Sequence, residues 1–121
     1  MRARFSEQFR AMLSTVDALL SPAAGAPFTV APGLQYGSMT EWNQASRARS
    51  QAQGLSKPYT AFTFPGDLAG IPALALPCGI SEQGLLYTMQ LAGSPLTEAL
   101  LCRIGYAYEQ STPWHGHHPP V

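Results

Sequence analysis

The chain has 121 residues, the length of one ordinary domain, with 45% hydrophobic and only 12% charged side chains, against about 25% charge in a typical domain. Seven basic and seven acidic residues cancel. This excludes nucleic acid as a main partner, because phosphate binding needs a basic excess, and it predicts poor solubility for the chain alone.

No apolar run approaches the ~20 residues of a membrane span, so no membrane partner is expected. The opening MRARFSEQFRAML has no signal-peptide apolar core. The chain therefore reads as a soluble, cytoplasmic protein. Cys78 and Cys102 form no CxxC pattern and both stand among apolar residues, as buried thiols of a reducing compartment do. Spacing leaves open whether they pair.

Phe5, Phe9, Met12, Leu13, Val16, Leu19 and Leu20 recur at helical spacing, which predicts an amphipathic helix over about 3–15. VDALLSP (16–22) either extends it or forms a short buried strand stopped by Pro22, and periodicity does not choose between them. The helix starts almost at Met1 without a capping residue, as an interior element of a longer fold would. Residues 21–58 are poorly patterned, and 33–58 is assigned as an irregular docking or surface region. Within it, TEWNQASRARSQAQG (40–54) suits a surface helix, with Thr40 as N-cap and Gly54 as stop.

Tyr59–Gly70 is aromatic-rich and interrupted by Pro65 and Gly66. Ala73–Gly79 is wholly apolar and reads as a strand buried on both faces. Ser81–Gly84 is a turn signal, and Leu85–Leu91 reads as a second strand, with Tyr87, Met89 and Leu91 on one face and Leu86, Thr88 and Gln90 on the other. Together they predict a hairpin with a four-residue loop. Ser94-Pro95 opens a predicted helix. Its stripe is Leu96, Leu100, Ile104 and Tyr108, widened by Leu101 and Ala107, and Pro113 stops it. The expected core is Leu74, Leu76, Met89, Leu91, Leu100 and Ile104. The tail WHGHHPPV is too rich in Pro and Gly to be regular, and Trp114 is expected to pack back on the body.

The residues assemble no complete active site. There is no G-x-S-x-G elbow, and Ser56 and Lys57 are adjacent, so their side chains diverge. Cys78, in Pro-Cys-Gly, has no histidine near in sequence to activate it. His115, His117 and His118 cluster without a cysteine or carboxylate beside them, so no metal site is assigned. No glycine-rich loop opens a helix to hold phosphate, and no cofactor is assigned.

The segment DLAGIPALALPCGISEQGLLYTMQLAGSP is more specific than its composition. Asp67-Leu68-x-Gly70-x-Pro72-Ala73, Pro77-Cys78-Gly79, Gly84-Leu85 and Gln90 occur in order, followed by Tyr108-Glu109 and Trp114-His115. This order resembles the C-terminal part of the amidase signature family, where the pattern runs FNLxGxPAxSVPxG, then GLPxGxQ, then a helix and a WH pair. VDALLSPAAGAPFTVAP resembles the family's preceding segment. The chain departs from the pattern at Gly66, Asp67 and Leu86, where phenylalanine, asparagine and proline are usual.

The resemblance implies an α/β fold: a β-hairpin from a larger mixed sheet, flanked by helices, with residues 1–121 forming one partial domain. It also implies hydrolysis of amide C–N bonds by a Ser–Ser–Lys triad. The family carries that triad upstream of the matched region, and nothing in this chain matches it, so no catalytic residue is carried over. Thr60, Phe62 and Thr63 fall where the family borders its substrate pocket. The implied partners are the missing N-terminal amidase core, or a second copy through the exposed sheet, and a small amide substrate. The alternative is a stand-alone, non-enzymatic binding module docking on a partner. A small enzyme using Cys78 or the histidine tail ranks last.

Overall fold

The computed structural model describes residues 2–25, 27, 37–52, 54 and 59–117. Helix α1 (Arg2–Leu13) presents Phe5, Ser6, Phe9 and Leu13 inward. These positions recur every three to four residues and so lie on one helical face. Phe5 and Phe9, one turn apart, stack with ring centroids at 5.7 Å. The helix ends because the Ser14 and Thr15 hydroxyls donate to Ala11 O at 2.7 Å and Met12 O at 2.8 Å. Such local bonds compete with the helical ladder. The chain then bends and enters strand β1 (Leu19–Pro22). Within 16–22 only Leu19–Pro22 is a strand, half-buried and not fully buried, and the segment does not continue the helix. Val16 and Leu20 are exposed.

The 33–58 region contains a regular helix, α2 (Met39–Ala52). Its cap is Ser38, not Thr40. Ser38 Oγ accepts from Glu41 N–H at 3.2 Å, and the Glu41 carboxylate accepts from Gly37 N–H at 2.7 Å. This resembles a capping box shifted by one residue, because the Glu41 carboxylate takes the N–H before the cap and not that of Ser38 itself, and Thr40 lies inside the helix. Residues 33–36, 53 and 55–58, including Ser56 and Lys57, lie outside the described residues.

A 3₁₀ turn (Tyr59–Phe62) leads into the short helix α3 (Phe64–Ala69), which Pro65 opens and Gly70 closes. Pro65 starts this helix because its fixed φ suits a first turn, where its missing N–H has no helical partner to lose. Arg2 Nε donates to Leu68 O at 3.1 Å and ties α1 to the end of α3.

Strands β2 (Ala73–Ile80) and β3 (Leu86–Ala92) form the expected hairpin, and β1 pairs with the other edge of β3. The result is a three-stranded antiparallel sheet in the order β1-β3-β2. Ser81 N–H donates to Leu85 O at 2.8 Å and Gly84 N–H to Ser81 O at 2.9 Å. With Gly84 at φ +77°, this is a turn closed by a left-handed residue, a three-residue hairpin loop that favours glycine at that position. β2 is not buried on both faces: Ala73 and Ala75 are exposed while Leu74 and Leu76 point into the core. Pairing jumps from Pro77–Thr88 to Gly79–Tyr87, so Cys78 is a bulge on an edge strand. Among the described strands β2 lies at the edge, a position where proline is tolerated.

Helix α4 (Glu98–Ser111) starts later than Ser94-Pro95 predicts. Leu96 adopts φ +65°, a left-handed conformation that cannot continue a right-handed helix. Its side chain is 91% exposed, outside the stripe assigned to it. The helix begins where Thr97 O accepts from Leu101 N–H at 3.1 Å. Leu76, Leu91 and Leu101 form the core, with Ala18, Leu74, Met89, Ile104 and Tyr108 packed against it.

Five of the six expected core positions are there, and Leu101 takes the place given to Leu100. α4 approaches β2 closely through Gly105, where a Cβ would stand 2.6 Å from Leu74 Cδ2. Cys102 is exposed, contrary to expectation. It follows the buried Leu101, and one residue is about 100° of helical rotation, enough to turn it away from the sheet. A last 3₁₀ turn (Trp114–Gly116) lies against β2 with Trp114 half-buried, as expected.

Candidate substrate-pocket wall

β3 has two chemically different faces because side chains alternate along it. Met89 and Leu91 enter the α4 core, while Gln90 faces the 3₁₀ turn before α3. Gln90 is 9% exposed, and a buried carboxamide requires partners. Its Nε2 donates to Ser21 Oγ at 3.0 Å and to Phe62 O at 2.7 Å. Ser21 stands opposite Gln90 in the β1–β3 register. One side chain therefore joins two strands and the turn that carries Phe62.

A cleft of about 720 Å³ opens beside this junction, walled by Leu20, Pro22, Phe62, Cys78, Tyr87 and Met89. The Ser21 and Thr88 positions add hydroxyl-bearing residues to a largely apolar lining. A second cavity of about 120 Å³ lies between α1, α3 and the sheet, lined by Phe9, Phe62, Thr63, Asp67 and Gln90 among others. Phe62 contributes to both.

The three predicted pocket residues are distributed accordingly. Phe62 borders the open cleft and the smaller cavity, and Thr63 borders the smaller cavity. Thr60 belongs to the same 3₁₀ turn, but its side chain lies outside the described residues. The residues missed as contributors are Gln90 and Ser21. A glutamine between Met89 and Leu91 on a buried strand was the available signal: such a group must find hydrogen bonds on the opposite face.

The lining suits binding more than bond cleavage. Cys78 is a half-buried free thiol, and Cys102 is an exposed one. The exposed His115 and His117 lie in the tail. Among the described residues no group of three or more His, Cys, Asp or Glu is placed to hold a metal ion, and His118 lies outside them. No described helix is long and apolar enough to cross a membrane.

An α/β segment with an apolar wall and, among the described residues, no assembled nucleophile–base pair is the class of structure these observations define. The amidase family model matches residues 1–102, most of the chain, and the chain belongs to the amidase family. It is 39% identical over its whole length to the glutamyl-tRNA(Gln) amidotransferase A subunit of a Cyanothece species, covering 22% of that protein. The corresponding protein of Thermodesulfovibrio yellowstonii is 56% identical over 54 residues, 45% of this chain.

Among solved structures, the glutamyl-tRNA(Gln) amidotransferase A subunit of Thermotoga maritima superposes with a TM-score of 0.68 at 25% identity, over 98% of this chain and 23% of that one. The fold of 6-aminohexanoate cyclic dimer hydrolase is also similar, with a TM-score of 0.72 at 24% identity over 98% of this chain and 24% of that one. The chain thus spans less than a quarter of these relatives' lengths.

Proposed function

We propose that this chain is the C-terminal structural and substrate-pocket segment of an amidase acting on amide C–N bonds, with Phe62 and Thr63, and Thr60 in the same turn, bordering the substrate. The supporting observation is the apolar cleft walled by Phe62, set in a chain that matches a family of hydrolases over less than a quarter of their length. An apolar concave wall with a few polar groups is the usual form of a small-molecule site. The catalytic groups belong to the remainder of the amidase fold, which is also the main partner of this segment. The free thiols Cys78 and Cys102 support a cytoplasmic setting.

Purified chain incubated with simple aryl and aliphatic amides should release no amine above the protein-free control. Measurable turnover would contradict catalytic incompleteness. A chimera in which this chain replaces the matching segment of 6-aminohexanoate cyclic dimer hydrolase tests the pocket. Introducing Phe62→Ala into an active chimera should raise KM several-fold with a smaller change in kcat, as loss of uniform binding does. An unchanged KM would remove Phe62 from the pocket.

A further inference from the structure

We infer that Gln90 is a positioning residue that holds the 59–62 turn, and with it the Phe62 wall, against the sheet. For the consequence on substrate this rests on the amidase reading; the structural role does not. A carboxamide nitrogen has two protons, and here both are used, one on Ser21 Oγ at 3.0 Å and one on Phe62 O at 2.7 Å.

The two acceptors come from distant parts of the chain, 69 and 28 residues from Gln90. Gln90 lies on the central strand, which pairs with both neighbours. Phe62 itself is 42% exposed, so packing alone constrains its ring weakly. Its place depends on where the backbone carbonyl is tethered. Without the amide donor, that carbonyl loses a short bond at the inner side of the turn. Neither Met nor Leu reproduces it, because neither side chain carries a donor.

Hydrogen exchange on the 121-residue chain tests this directly. In Gln90→Met, amides of residues 61–67 should exchange at least tenfold faster, while those of α4 change less than twofold. Ser21→Ala removes one acceptor but leaves the bond to Phe62, and should stay within twofold at both places. Alkylation of Cys78, measured in a Cys102→Ser background, should accelerate at least threefold in Gln90→Met and remain unchanged in Ser21→Ala, because Phe62 and Cys78 wall the same cleft.

Exchange in Gln90→Met within twofold of the unsubstituted chain would overturn the inference, as would an equal effect of Ser21→Ala. Gln90→Leu serves as the second donor-free variant. Should neither variant fold, NMR of the unsubstituted chain decides. The Gln90 side-chain amide protons should exchange at least tenfold more slowly than those of the exposed Gln83, and equal rates would reject the tether. These readouts involve no turnover, so failure of the tether and failure of the amidase reading are separable.

Discussion

The two faces of the sheet are held by different forces. On one face, α4 closes Leu76, Leu91 and Leu101 into a dry core, and each such side chain contributes about 1.5–3 kcal/mol on burial. On the other, Gln90 hydrogen-bonds to a turn whose Phe62 is 42% exposed, and Phe62 reaches a cleft of about 720 Å³ that Leu20, Pro22, Tyr87 and Met89 of the first face also wall. The first face gains stability from area and shape. The second holds the Phe62 turn against the sheet with directional bonds and leaves the ring partly open. Stability therefore belongs mainly on the first face.

The strongest attack on that contrast is Leu101→Ala. With Leu101 2% exposed, the cavity should cost about 2–5 kcal/mol, read as a lowered denaturation midpoint in urea. A loss below about 1 kcal/mol would mean that α4 does not anchor the fold. Gly105→Val comes next. Its branched side chain enters the space of Leu74 and Leu76 and should cost about 1–3 kcal/mol by overpacking, measured the same way.

Phe62→Ala should cost only about 1 kcal/mol, since much of the ring is already in water, yet it should weaken binding of an apolar fluorescent probe to the cleft. A stability loss as large as that of Leu101→Ala would erase the distinction between the faces. The smallest effect has the opposite sign. Leu96→Asn, at φ +65° and 91% exposed, should raise stability by about 0.5 kcal/mol, because asparagine tolerates the left-handed region better than leucine. Thermal melts at matched concentration resolve a shift of that size.

Much of this fold is legible where one periodic signal dominates. The α1 face, the hairpin, and the pairing of Leu74, Leu76, Met89 and Leu91 with Ile104 follow from helical or alternating spacing. Where two local signals compete, the sequence misleads. Ser94-Pro95 has the chemistry of a helix start, but Leu96 turns left-handed and delays α4 to Glu98. Thr40 looks like a cap, while Ser38 accepts from Glu41 N–H and the Glu41 carboxylate accepts from Gly37 N–H. The S-x-x-E spacing of Ser38 and Glu41 was visible in the sequence and is the better cue, because it satisfies two backbone donors instead of one.

The candidate site is legible only in part. The resemblance points to Phe62 and Thr63, and both line cavities, whereas the contacts of Gln90 depend on residues 28 and 69 positions away. No local pattern encodes such a contact.

By itself the sequence determined the kind of segment this is: scarce charge, two apolar strands punctuated by glycine and proline, and ordered motifs of one family. These properties are local in the chain, and spacing alone carries them. Only the tertiary structure decided that Leu19–Pro22 is a strand, that β2 keeps one open face, and that a single glutamine joins β1, β3 and the Phe62 turn. Each of those outcomes depends on which distant surfaces meet, and burial and hydrogen bonding acquire their energy only when they do.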